Sequence, residues 1–542
     1  MKRTSSVLGS FAALAVLLSP VAAQQPRRPS GVQHAIPASP DDKAIVHVLN
    51  RIGFGPGPGD VDAVRRVGLA AHIDQQLHPE RIADARLTER LAGFTTLQLS
   101  TRELADRFYI PALMDRQRRQ REQGATGQPP ATAAPEMVQA ERGQRQVFAE
   151  LAQQKILRAV YSERQLEEVM VDFWFNHFNV FGGKGPTRMY LTEYERDAIR
   201  PHMLGRFRDL LQATAQSPAM LFYLDNWQSA APDGAAIASP MARGRGRGRL
   251  RPPQQRPAQG RRRDINENYA RELMELHTLG VDGGYTQKDV QEVARAFTGW
   301  TILQPRMGGE FRFEPRMHDG GEKVVLGQKI KAGGGMNDGE QVLDLLARHP
   351  STATFIATKL ARRFVADTPP AALVTRAAAR FTETNGDIRE VVRVIVTSPE
   401  FFAPGAYRAK VKTPLEFVAS AVRATGANLP NAMPAVQALR ELGMPPYMCE
   451  PPTGYADQAE AWVNTGALLN RMNFAVALTG GGRERRGRTR ASAPMQPVAV
   501  DVLIENILAD DLSEATRSTI ARASSAPQAI ALVLGSPEFQ RR

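Results

Sequence analysis

Apolar residues recur at three- and four-residue spacing along most of this 542-residue chain. That period suits one face of a helix, so the fold open to the chain is one of packed helices. Four helix starts follow one recipe. Ser217-Pro218, Ser398-Pro399 and Ser536-Pro537 each follow an apolar helical run, and His349-Pro350 is a variant. Serine caps a helix N-terminus and proline suits its first turn, so each pair reads as the junction of one helix with the next. Strand signals are few. Phe311-Arg-Phe313 and Lys323-Val-Val-Leu326 are expected to pair as one small hairpin around Gly320-Gly321. The expected fold is therefore mostly α: a multi-helix globular domain of packed helix pairs with at most a small β-hairpin.

Residues 1–23 read as a signal peptide. Lys2 and Arg3 precede an uncharged apolar run from Val7 to Leu18, followed by small residues ending at Ala23. The run is too short to span a bilayer, and no later stretch of the mature chain is long enough, so export to the periplasm or medium is expected. Residues 24–41 read as a linker, and 42–542 as one large helical domain interrupted by disordered, low-complexity insertions near 121–136, 229–263 and 480–495. Cys449 is the sole cysteine, which excludes an intramolecular disulfide and thiolate-rich metal sites. It reads as a packed small residue.

The formal charge of +13 suggests an anionic partner until its distribution is examined. Without the leader's two cations, the nine Arg and one Asp of 229–263, and the five Arg and one Glu of 480–490, it falls to −1. The basic segments have too little apolar content to pack. They could touch anionic polymers through counterion release. No aromatic residues interleave with the arginines, so specific nucleic-acid binding is not expected.

Phosphate-loop, nucleophile-elbow and zinc-helix motifs are absent from the sequence. What remains are polar residues placed where apolar ones belong. A helix expected from Ser162, with Ser162 and Gln165 as a capping box, carries Leu166, Met170 and Phe173 on one face, and His177 falls among them. His177 is expected to be buried, either as a core histidine bonded to a carbonyl or as a neutral ligand or base. A second helix, Ile265 to Leu279, has the stripe Ile265, Tyr269, Leu273, Leu276, Leu279. Glu272 projects inside it, and Asn268 and Glu275 flank it. His277 is placed about 140° away from Glu272 on the wheel. A buried carboxylate needs a partner, so Glu272 reads either as half of an ion pair with an arginine or as a ligand or acid/base group. A third amphipathic helix, capped at Thr286, is expected to run through Val290, Val293 and Phe297 to Trp300. His318 and Asp319 follow at a loop tip.

Several of these segments carry a resemblance. His47-Val-Leu-Asn-Arg-Ile-Gly-Phe-Gly55, Trp174-Phe-Asn-His-Phe178, the block from Asn266 to Thr286, Phe297-Thr-Gly-Trp300, His318-Asp319 and Lys410-Val-Lys-Thr-Pro414 together resemble the bacterial domain-of-unknown-function 1800 family. The resemblance implies a helical, usually exported protein without a settled activity. It also implies an exported partner, of the domain-of-unknown-function 1501 family. The 229–263 insertion is longer and more basic than the family pattern.

Two functions fit. One is a structural or partner-binding protein of the cell envelope, whose buried polar residues fix helix packing. The other is an exported hydrolytic or metal-assisted enzyme. In it His177, Glu272 and Glu275 would be catalytic, with Asn268, His318 and Asp319 as binding residues around one shared pocket. The residues name no metal or cofactor.

Overall fold

A computed structural model describes residues 35–126, 135–232, 264–480 and 499–542. The expected signal peptide, most of the expected linker and the interiors of the three expected insertions lie outside the described residues. Among those described, helices dominate, and the strands form two separate two-stranded antiparallel sheets. Buried apolar side chains from Ile45 to Phe539 join in one contiguous core, with Trp174, Phe178, Phe207, Phe297 and Trp300 fully enclosed. No described helix is long and apolar enough to cross a membrane.

The capping chemistry accounts for several boundaries. Ser217 accepts from Ala219 N at the start of Pro218–Tyr223, and Ser536 does the same for Pro537–Gln540. His349 caps Pro350–Phe364 with its imidazole, Nδ1 accepting from Ser351 N at 3.2 Å. Ser398-Pro399 departs from the expectation. Ser398 Oγ accepts from Phe401 N, but the chain continues as turns, and no helix follows until Pro414–Thr425. The Ser162–Gln165 capping box is not formed either. The helix is Gln165–His177, and Gln165 instead accepts from Phe54 N and donates to the carbonyls of Ala159 and Ser162. A long-range backbone donor has outcompeted the local cap.

The single hairpin is replaced by two. The third amphipathic helix stops at Ala296. Gly299, at φ +82°, then turns Trp300–Ile302 into a strand paired with Phe311–Phe313, Trp300 opposite Phe313. Lys323–Val325 folds back on Gln328–Ile330 through Leu326-Gly327, both at positive φ as a two-residue hairpin turn requires. The nearer partner wins in each case.

Described chain reaches into two of the expected insertions. Helices Ile110–Thr126 and Pro135–Tyr161 run into the 121–136 segment from both sides. Ser229 and Ala230 are buried, and Ala230 N donates to Asp264 O at 3.4 Å, which closes the ends of the Arg-rich segment against each other. Asp41, at the end of the linker, caps Asp42–Arg51 by accepting from Ala44 N at 2.8 Å.

Candidate functional site

The Trp174-Phe-Asn-His-Phe178 segment closes the Gln165–His177 helix and organises its surroundings through its polar members. Asn176 clamps a loop with its amide, accepting from Tyr455 N at 2.7 Å and donating to Tyr455 O at 2.8 Å. Asn179 donates to the carbonyls of Cys449 and Pro451. Gly454 sits under this clamp at φ +74°, and a Cβ there would lie 2.3 Å from Asn176 O. Only glycine lets the loop approach so closely.

Between that loop, the end of Gln165–His177 and the Pro350–Phe364 helix lies a cleft of about 370 Å³. His177, 2 % exposed, lines it. His177 Nε2 lies 3.1 Å from His277 O, so that nitrogen carries the proton and donates, leaving Nδ1 with a lone pair and no partner. The ring stacks on Phe173 and meets Phe178 edge-on. Burial, reinforced by Lys359 and His277, holds the imidazole well below its usual pKa and therefore neutral.

The opposite wall is cationic. Lys359, Arg362 and Arg363, at i, i+3 and i+4 of one helix, all face the cleft. Burial brings the Lys359 ammonium down to about 8, against the attraction of Asp457. Arg362 Nε donates only to a backbone carbonyl, Asp367 O, at 3.0 Å. Arg363 pairs with Glu416 but leaves Nη2 without a partner. The cleft's two carboxylates are already engaged: Asp172 with Lys155 at 2.7 Å, and Asp457 with Lys410 at 3.2 Å.

The expected shared site of His177 with Glu272, Glu275 and Asn268 is not formed. Asn268 is exposed, and Glu272 and Glu275 are only half-buried. The electrostatic neighbours of Glu272 are Glu275 and Arg271, whereas those of His177 are Lys359 and His277. Lost hydration, then Glu275, raises the Glu272 carboxyl above its ordinary pKa. Glu275 accepts from Tyr285 Oη at 3.3 Å. The wheel fails because the helix ends at Glu275. His277 N reaches back five residues to Glu272 O, and Leu279 N to Met274 O. That wider closure turns His277 inward, 3 % exposed, against His177.

His318 and Asp319 do not sit at an exposed tip. His318 is bonded through Nδ1 to Thr298 O at 2.8 Å and through Nε2 to Asp338 Oδ2 at 3.2 Å. Asp319 is held by Arg295 at 2.8 and 3.1 Å, which keeps its carboxyl below the usual range. Lys323, fully buried, joins both by reaching Asp338 Oδ2 at 2.7 Å and Asp319 O at 2.6 Å. The network ties the hairpins to the Met336–Arg348 helix. Cys449 is buried beside Pro451, its thiol pushed up to about 11 by burial, in a packing role.

The residues that sequence reasoning missed are Lys359, Arg362 and Arg363. A signal was present: Arg363 falls within the apolar stripe Ile356, Leu360, Phe364, the same anomaly that singled out His177. Among the described residues, no three His, Cys, Asp or Glu side chains are grouped so as to hold a metal ion.

Comparison with curated proteins and with solved structures gave no match. Residues 47–541 match the profile of the family described as "Protein of unknown function (DUF1800)", nearly the whole chain, and the protein belongs to that family.

Proposed function

We propose that this is an exported binding protein of the cell envelope and that its ligand, carrying a carboxylate or phosphate group, occupies the cleft beside His177. One observation carries the reading. Two cations of a single helix, Lys359 and Arg362, line a cavity of small-molecule size whose own carboxylates are committed elsewhere, with Arg363 beside them paired to Glu416 but keeping one unpartnered N–H group. Desolvated ammonium and guanidinium groups favour an anion that can bond them directly. Phe173 and Tyr455 supply apolar wall for the rest of the ligand.

The test is a calorimetric screen of small carboxylates, phosphate monoesters and neutral analogues against the mature chain. Saturable binding is expected from anions alone, and Arg362→Ala should remove it with the fold intact. Binding should weaken as pH rises beyond about 8, where Lys359 loses its proton, and Lys359→Arg should abolish that dependence. Equal binding of neutral analogues, or no saturable ligand, refutes the reading. Cell fractionation with N-terminal sequencing tests export, expecting material outside the cytoplasm that begins near Gln24. Cytoplasmic material with an intact Met1 end refutes export.

A second reading, acid/base catalysis on the bound ligand, is favoured by the unpartnered Nδ1 lone pair of His177. His177→Gln would then retain ligand binding and lose turnover.

A further inference from the structure

The Thr465–Leu478 helix reaches the surface with the wrong chemistry for a surface helix. One face is committed: Arg471 and Ala475 are buried, and Arg471 donates to Gln540 Oε1 at 2.6 Å and to Lys412 O at 2.7 Å. On the other face Leu468, Leu469 and Val476 stand 47, 60 and 37 % exposed, with Met472 half-buried among them. At about 100° per residue these four fall within about 100° of one another, so they form one stripe. A helix lying on a protein ordinarily turns charged side chains to water. This one has no charged residue apart from the buried Arg471.

Val463, also exposed, precedes the Asn464 cap of the same helix, so large apolar side chains in solvent are concentrated here and not scattered singly as on an ordinary surface. Charge indicates what covers them. No Asp or Glu occurs from Trp462 to Gly482, and the sequence from Gly480 to Arg490 holds five Arg and one Glu, a net of +4. A second copy paired through the same stripe would bring two such segments together, like charge against like. An anionic bilayer answers both features. Its acyl boundary takes up leucine and valine side chains while its headgroups attract arginines, the pairing of apolar and basic signals that stable peripheral attachment requires. With 14 residues and one face packed on the protein, the helix would lie in the plane of the interface and not cross it.

We propose that the stripe of Leu468, Leu469, Met472 and Val476 docks on an anionic lipid surface. The two leucines, the most exposed of the four, enter the headgroup boundary. The arginines that follow in the sequence add long-range attraction to the same surface and take no part in the apolar contact. The stripe shares no residue with the cleft beside His177, so attachment and ligand binding are separable.

The experiment is co-sedimentation of the mature chain with vesicles of phosphatidylcholine alone and of phosphatidylcholine mixed with phosphatidylglycerol. Binding to the mixed vesicles is expected, at least about tenfold tighter than to the neutral ones. Leu468→Ser combined with Leu469→Ser keeps every arginine and alters only exposed positions. It should weaken binding to the mixed vesicles at least about tenfold, with the melting temperature unchanged. Undiminished binding by that variant, equal binding to the two vesicle types, or binding to neither overturns the proposal. Contact is read with an environment-sensitive fluorophore on Leu469→Cys, the buried Cys449 staying unlabelled. Emission should move to the blue when mixed vesicles are added, and unmoved emission from sedimented protein overturns the proposal. Sedimentation velocity without lipid separates the other occupant: a concentration-dependent dimer that Leu468→Ser dissolves would assign the stripe to a second copy and overturn it as well.

Discussion

Lys323→Met removes the ammonium from the pin that holds both hairpins to the Met336–Arg348 helix. Lys323 and Asp338 are fully buried, with Nζ at 2.7 Å from Oδ2, and the same ammonium satisfies the carbonyls of Asp319 and Gly321 at 2.6 and 2.8 Å. In the variant Asp338 retains only His318, at 3.2 Å, while its Oδ1 already lacks a partner. Breaking a buried pair costs about 3–5 kcal/mol, and two orphaned carbonyls add to it. A loss of at least about 3 kcal/mol, the lower end of that range, is expected. That corresponds to roughly a hundredfold loss of protection against local opening. Amide hydrogen exchange followed by mass spectrometry over residues 311–330 reads it directly, with distant helices as internal controls. Lys323→Met combined with Asp338→Leu should recover much of the loss, because an apolar pair of similar volume carries no buried charge. Unchanged exchange in the single variant, or a double variant no better than the single, would refute the assignment of the pin.

The buried imidazoles should make the fold acid-sensitive. Burial brings His47 and His277 down to about 3 and His72 to about 4, so the unfolded chain, near 6.5, takes up their protons first. Stability should therefore fall as pH drops below about 6.5, by about 1.4 kcal/mol per pH unit for each imidazole, and these contributions should level off near their folded values. Denaturant midpoints that stay flat between pH 6.5 and 4.5 would count against it. Gly454→Ala should push the Thr453–Gln458 loop off Asn176, because the added methyl meets Asn176 O and the backbone is left-handed. The expected result is loss of saturable anion binding with an unchanged far-UV spectrum; retained binding would show that the clamp does not shape the cleft. Deleting 242–263 should leave the melting temperature nearly unchanged, since the flanking chain is already joined between Ala230 and Asp264. A drop of several degrees would show that the segment packs.

The helical class and the burial of His177 were legible in the sequence because they rest on local chemistry. Apolar period, capping side chains and the helix wheel act within one or two turns. The wheel held for His177, whose helix stays regular to its last residue, and misplaced Glu272, because the stripe expected around it runs past Glu275 into a wider i to i−5 closure. Strand partners were misread for a related reason. Phe311–Phe313 pairs with Trp300–Ile302, whose Trp300 is fully buried in the core, and Lys323–Val325 pairs with the still nearer Gln328–Ile330.

The cleft itself was a tertiary decision. Its three cations come from residues 359–363, its imidazole from residue 177 and its closing loop from residues 453–458. Nothing local links segments so far apart in the chain. The same holds for the interior charge, where Arg51, Arg363, Arg471 and Arg542 meet one carboxylate. Each arginine alone reads as a solvated surface residue, and only the burial of all four by one core turns them into a problem of charge. The sequence determined which segments form helices, because a helix satisfies its backbone from its own residues. Which helices meet, and so which polar groups must answer one another, was set by long-range packing that no single segment encodes.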